Sequence, residues 1–171
     1  MDIEELFKQT MASLASGVTV VTGMDPNGDP RGLTVTSVAS YSGTPPSVIV
    51  CIDVNSSSYP ALTTGQHFVV NLLRSDQSDV ATLFASKTPD KFERCAWTSW
   101  KNNAPVLDGT MSHLICRRSF TAEHGDHAIV IGLAIDGAVC DSQPLIYWKR
   151  SFYPGIGANR DTEPPAHRTD S

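Results

Sequence analysis

The chain lacks most of the features that announce a function at first sight. Its 171 residues hold only four cysteines, Cys51, Cys95, Cys116 and Cys140, with no Cys-x-x-Cys pair and no regular short spacing. That argues against zinc and disulfide frameworks, and reduced thiols packed as small hydrophobes are expected instead. No apolar stretch approaches the ~20 residues a transmembrane helix needs. The opening Met1-Asp2-Ile3-Glu4-Glu5 is acidic where a secretion signal is basic. A reducing cytoplasm, with no membrane attachment, is the expected setting. Basic residues are sparse and scattered, 13 Lys and Arg against 18 Asp and Glu for a net charge of −5, so nothing offers a footprint for nucleic acid. Internal repeats are absent, as is any convincing set of nucleophile, base and orienting acid. A chain of this length suits one domain whose core folds without staples.

What is present is strand-like text with clear punctuation. Ile3, Leu6, Phe7, Met11 and Leu14 recur at three- and four-residue steps, which predicts an amphipathic opening helix closed by Gly17. Strands are expected over Val18–Thr22, Gly32–Ala39, Val48–Ile52, Phe68–Leu73, Ser112–Arg117, His127–Asp136 and Ala138–Asp141. Turns fall at Pro26-Asn27-Gly28-Asp29, Ser42 to Pro46 and Asp136-Gly137. A mainly β barrel or sandwich follows. Short helices interrupt it: one over Tyr59–Thr64, one carrying Val80, Leu83 and Phe84 after a Ser75 cap, and one opened by Thr88-Pro89-Asp90. Residues 1–154 read as the domain and 155–171 as a polar, disordered tail.

Two hydroxyl clusters stand out, Gly32-Leu33-Thr34-Val35-Thr36-Ser37 and Asn55-Ser56-Ser57-Ser58. Strand alternation puts Thr34 and Thr36 on one face and Val35 and Ser37 on the other. Hydroxyls on both faces make a poor core wall but suit a planar polar ligand laid along the backbone. A half-exposed strand that uses threonine for its β-propensity accounts for the same text. Consecutive serines before a short helix form an anion nest, or simply a solvated turn.

Taken in order, Ser16 to Thr22, Gly32 to Ser37, Pro45-Pro46, Phe68-Val69-Val70-Asn71-Leu72-Leu73, Asp90-Lys91-Phe92 and Gly125-Asp126-His127 give a chain that resembles the flavin reductase-like family. Those proteins are FMN-binding split barrels that act as reductase partners of two-component flavin monooxygenases. The matching text spans roughly residues 5 to 153. The resemblance implies a Greek-key split β-barrel with an N-terminal helix and short peripheral helices. It also implies a homodimer that closes over FMN or FAD, takes hydride from NADH or NADPH, and hands reduced flavin to a separate monooxygenase. In such an enzyme the flavin carries the hydride chemistry, so no acid–base triad is required.

Residue by residue, the resemblance sets the flavin ring against Thr34, Val35, Thr36 and Ser37, and the ribityl chain and phosphate against Cys51, Asp53, Ser56, Ser57 and Ser58. Ala85, Lys91 and Phe92 fall in the segment that closes over the flavin. Lys91 is the one placed cation, for the phosphate or for negative charge on the reduced ring, unless it is a helix-surface lysine beside Asp90. His127 is the catalytic candidate, positioning the nicotinamide with Asp126 orienting its ring, unless it is only a strand-start histidine satisfied by that carboxylate. Tyr147, Trp148, Lys149 and Phe152 would contact the dinucleotide, or else form an aromatic belt on the barrel. His124 and His127 have His-x-x-His spacing, but a turn entering a strand is not expected to put both rings on one face, and no metal site is expected. Three readings result: a reductase that releases its flavin, one that keeps it, and a non-catalytic flavin- or heme-binding barrel.

Overall fold

Asp2 starts the first helix by accepting the Glu5 amide at 2.8 Å, the arrangement that satisfies an otherwise orphaned helix N-terminus. In a computed structural model that describes residues 1–101 and 104–155, helix α1 runs over Ile3–Ala12. It ends at a Ser13 cap and not at Gly17, which lies in a short strand, β1 (Ser16–Gly17). Strands β2 (Thr19–Met24), β3 (Pro30–Val35), β4 (Val38–Gly43) and β5 (Pro46–Asp53) follow. Then come α2 (Tyr59–Thr64), β6 (His67–Leu72), α3 (Ser78–Ala85) and a single 3-10 turn at Lys91–Glu93. A hairpin of β7 (Trp97–Trp100) and β8 (Ala104–Leu107) precedes the long hairpin of β9 (Ser112–His124) and β10 (His127–Val139). β11 (Leu145–Trp148) and β12 (Ser151–Pro154) close the order.

Several expectations need correction. The expected strand Gly32–Ala39 is two strands, broken at Thr36-Ser37. Asp136-Gly137 is no turn, since β10 runs through it with a register shift between Ala134 and Asp136. There a glycine relieves crowding, because a Cβ on Gly137 would stand 2.5 Å from the His113 carbonyl. The cap of α3 is Gln77 and not Ser75, and Thr88-Pro89-Asp90 opens only the 3-10 turn. Gly155 is buried and donates to the Pro144 carbonyl at 2.7 Å, so it belongs to the body. The rest of the expected tail lies outside the described residues.

The seven-stranded antiparallel sheet has the order β3-β2-β6-β9-β10-β5-β4. Chain connectivity forces it to curl. Laid flat, its edge strands would lie roughly 29 Å apart, six spacings of about 4.8 Å. Yet β3 and β4 are joined by Thr36-Ser37 alone, a link that reaches about 11 Å at full stretch. The edges must therefore meet, and the sheet becomes a barrel split along the β3–β4 seam. Inside it pack Val21, Val50, Ile52, Leu62, Phe68, Val70, Cys116 and Val130, all buried. Burial pushes the Cys116 thiol up to about 12.

A second cluster, including Val18, Leu73, Phe84, Leu107 and Leu145, seats α3 and the β11–β12 hairpin on the outside. Asn71 ties β8 to the barrel wall. Its Nδ2 donates to the Val20 carbonyl at 3.0 Å and to Thr22 Oγ1 at 3.1 Å, while its Oδ1 accepts the Leu107 amide at 3.0 Å. Thr22 in turn donates to the Pro105 carbonyl. Every member of this buried network is used, which is what makes a polar group tolerable in a core.

Candidate functional site

The residues that matter gather along the seam. Thr34, near the end of β3, lines a cleft of about 450 Å³ with Asp53, Ser56, Ser57, Ala85, Lys87 and Lys91. A narrower extension of about 110 Å³ shares Ser57, Lys87 and Lys91 and adds Arg31, Ser58 and Phe92. Eight of the expected cofactor residues therefore share one contiguous recess: Thr34, Asp53, Ser56, Ser57, Ser58, Ala85, Lys91 and Phe92. Thr36 lies apart, lining a separate cavity of about 260 Å³ against Ser16 and Leu145. Val35 is half-buried and packs against the barrel core.

Lys91 is no helix-surface lysine. It is 8 % exposed, and its ammonium donates to the carbonyls of Phe84 at 3.0 Å and Gly32 at 3.3 Å. It also sits 5.9 Å from the centre of the Phe84 ring. Burial pushes its pKa down from the ordinary lysine value. Gly32 leaves room for this, because a Cβ there would stand 2.9 Å from the Phe84 ring. Phe92 stacks edge-on with Phe84 and Trp97, at 5.2 and 5.6 Å, and fixes the turn that carries Lys91. Lys87 is a second cation on both clefts that the sequence reading passed over, and Lys91 is not alone. Its signal was available, a lysine directly after α3 and before the Thr88-Pro89 turn.

The serine cluster is less of an amide nest than its text suggests. The Ser56 amide donates to the Asp53 carbonyl, the Tyr59 amide to the Ser56 carbonyl, and the Ser58 amide to Ser56 Oγ at 3.2 Å. The serine hydroxyls and the two lysines line the recess that an anion would enter, with Arg31 on the narrow extension paired to Asp25 at 2.9 Å. Asp53 Oδ1 accepts the Asn55 amide and Nδ2 at 2.8 and 3.2 Å, which holds it in a local turn.

Asp53 also connects the cleft to the outer face of the sheet. Directly opposed residues on antiparallel strands share a face, and the register stacks three rows there. Ala39, Ile49, Ile131 and Phe120 form the first. Ser37, Cys51, Ile129 and Ala122 form the second, with Ser37 Oγ donating to the Cys51 carbonyl at 2.9 Å and the Cys51 amide to the Ser37 carbonyl at 3.3 Å. Asp53, His127 and His124 form the third. His124 and His127 therefore do share a face, because the two-residue Gly125-Asp126 turn pairs them across the hairpin. Among the described residues, however, no three ligating side chains are placed to hold a metal ion.

His127 Nδ1 lies 2.8 Å from Asp126 Oδ1. This contact holds the Asp126 carboxyl below the usual carboxylate range and turns Nε2 away from the carboxylate. The C-terminal hairpin also holds the end of α1. Lys149 donates its amide to the Ala12 carbonyl at 2.9 Å, and Trp148 Nε1 donates to the Ser13 carbonyl at 3.1 Å, clamping the end of α1. Tyr147 and Phe152 pack together at 5.4 Å on the outer core cluster.

The model of the flavin reductase like domain matches residues 11–155 of this sequence. The chain belongs to that family. Among the flavin reductase relatives, the NADH-dependent flavin reductase of Kitasatospora aureofaciens is 36 % identical over 152 residues, covering 86 % of this chain and 80 % of its own. The reductase component of a Rhodococcus opacus 4-nitrophenol 4-monooxygenase/4-nitrocatechol 2-monooxygenase is 32 % identical, covering 85 % and 78 %. A solved NADH:FAD oxidoreductase, SgcE6 of Streptomyces globisporus C-1027, was captured with NAD and FAD fragments. It superposes with a TM-score of 0.81 at 28 % identity, covering 96 % of this chain and 95 % of that one.

Proposed function

We propose that this flavin reductase-like protein is an NADH:flavin oxidoreductase that supplies reduced flavin to a separate monooxygenase. The observation that carries the reading is the continuity of the site. A recess with serine hydroxyls and two lysines runs through Asp53 into a sheet face that presents Ser37, Cys51 and His127. The residues fit a flavin: cations and hydroxyls suit a phosphate dianion, and the volume is within the range of cofactor pockets. When bound, the flavin supplies the hydride-accepting chemistry.

The chain's own residues bind and orient. Ser56, Ser57, Ser58, Lys87 and Lys91 hold the phosphate, with Ala85 and Phe92 shaping the recess. Thr34, Ser37 and Cys51, with only the backbone at Val35 and Thr36, meet the ring and ribityl edge, and Asp53 reaches ribityl hydroxyls, since a carboxylate repels phosphate. His127 offers Nε2 to the carboxamide of the nicotinamide, and its Asp126 bond limits rotation of the ring. Proximity and orientation of this kind are what hydride transfer demands. The clamp at Trp148 and Lys149 favours a supporting role for the β11–β12 hairpin over direct contact with NADH.

The reading includes a homodimer. Ile49, Ile129 and Ile131, with Phe120 51 % and Tyr41 59 % exposed, make an unusually apolar outer sheet face, of the kind that a second copy covers. It also includes a reducing cytoplasm, in keeping with four free thiols. Among the described residues no helix is long and apolar enough to cross a membrane. The deciding experiment is aerobic NADH oxidation with and without added FMN or FAD. Flavin-dependent consumption is expected. Its absence, with flavin still bound, would favour a storage or electron-carrying barrel.

A further inference from the structure

We infer that the site extends past the flavin phosphate into a subsite for an adenylate, so that FAD is the preferred flavin. The inference rests on the placement of the phosphate proposed above. The recess does not end at Ser57, Lys87 and Lys91. Around the rim formed by Ser86, Lys87 and Thr88 lies an open groove of about 520 Å³. It shares Ser86 with the main cleft and Thr88 with the narrow extension, so the three spaces adjoin along this rim.

The groove's chemistry suits the half of FAD that FMN lacks. Ser78, Asp79, Thr82 and Leu83 line it from α3, and Arg94 from beyond the 3-10 turn. Leu83 is half-buried and gives an apolar patch on which a purine can lie. Asp79 uses Oδ1 on the Val80 amide at 2.8 Å, and its carboxylate suits the ribose hydroxyls or the exocyclic amine of adenine. Arg94 is held loosely, with Nη1 3.9 Å from Asp90 Oδ1 and its side chain 58 % exposed. Its planar guanidinium can swing onto a base or a phosphate. The pyrophosphate would pass Lys87 and Lys91, which places one cation near each phosphate.

Equilibrium titration of the full chain with FMN, FAD and AMP tests this directly. FAD is expected to bind about tenfold or more tightly than FMN, and AMP to compete with FAD but not with FMN. Thr82→Trp, which fills the groove, and Arg94→Ala should each weaken FAD about tenfold and leave FMN unchanged. Equal affinities for FMN and FAD in the wild type, or variants that leave FAD untouched, overturn the subsite. So do variants that weaken both flavins alike. The underlying phosphate reading fails separately, if Lys91→Met leaves both affinities unchanged. Circular dichroism identifies a variant that merely unfolds, which is replaced by Thr82→Phe before its affinities are read.

Discussion

Replacing His127 with alanine is the sharpest test of the proposed hydride geometry. The imidazole stands at the first position of β10, half-exposed, with Nδ1 bonded to Asp126 at 2.8 Å. Truncation removes no buried packing, so the fold should be indifferent to it. What is lost is one hydrogen bond to the nicotinamide carboxamide and the restraint that bond places on the ring. A single bond of that type is worth about 0.5–1.5 kcal/mol, and misplacing a reacting carbon costs more. Together they predict a loss of ~10-fold to 100-fold in the flavin reduction step or in apparent NADH affinity, about 1.4–2.8 kcal/mol. Flavin affinity should stay near wild type. Stopped-flow reduction of bound flavin at varied NADH separates the two parameters. His127→Asn should recover part of the loss through its amide, and Asp126→Asn should do less harm than either, since its contact with His127 is solvent-exposed. Normal NADH kinetics with weakened flavin would place His127 against the flavin, and an unchanged enzyme would refute the role altogether.

Lys91→Met should weaken FMN by ~10-fold or more, as expected for a lost charge-assisted bond, while riboflavin, which lacks the phosphate, is little changed. In the wild type, FMN affinity should fall as pH rises through the lowered pKa of Lys91, below the ordinary 10.5. Stability of the flavin-free protein should rise over that same window, because there the unfolded chain holds the proton that the folded chain has released. The variant should lack both trends. Replacing Ser56 and Ser58 together with alanine should cost FMN about 1–3 kcal/mol and again spare riboflavin, whereas an equal loss for both would relocate the phosphate. Asn71→Ala should destabilise the protein by roughly 3 kcal/mol, since it strands the buried Leu107 amide and removes the side-chain bonds to Val20 and Thr22. A shift below 1 kcal/mol in urea unfolding would show the network to be replaceable. Light scattering should give about twice the 18.4 kDa chain mass, and a monomer that still turns over flavin would refute the dimer.

The barrel was legible because its strands alternate cleanly and its hairpin turns carry Asn27-Gly28 and Gly125-Asp126. The helix Tyr59–Thr64 is found where it was expected. What periodicity could not show was pairing. Gly32 to Ala39 reads as one uninterrupted strand, and only the sheet order reveals that Thr36-Ser37 joins two edges. Trp97–Trp100, Ala104–Leu107, Leu145–Trp148 and Ser151–Pro154 are short strands with no alternating run of their own, held by packing on the barrel. His124 and His127 are three apart in sequence and face to face in space, because a tight turn converts sequence distance into cross-strand register. For Lys91 the text leaves a helix-surface position beside Asp90 open as the alternative to a flavin cation. Its burial comes from Phe84 and Gly32, which are distant in the text.

If the flavin spans the seam as proposed, the Thr36-Ser37 link couples its binding to the integrity of the barrel. Strand ends at a seam are where local opening is cheapest, and Ser37 is bonded to Cys51 on the β5 side of this one, as a continuation of the β4–β5 ladder. A ligand that rests on Thr34 on one side and on Ser37 and Cys51 on the other binds only the closed form. It therefore withdraws the open form from the population in proportion to its concentration over its dissociation constant. Amide hydrogen exchange along Val35 to Val38 would then report flavin occupancy without any turnover. On the same reading, departure of the reduced flavin would leave the seam freer to open, so that handing over the product and loosening the site would be one event.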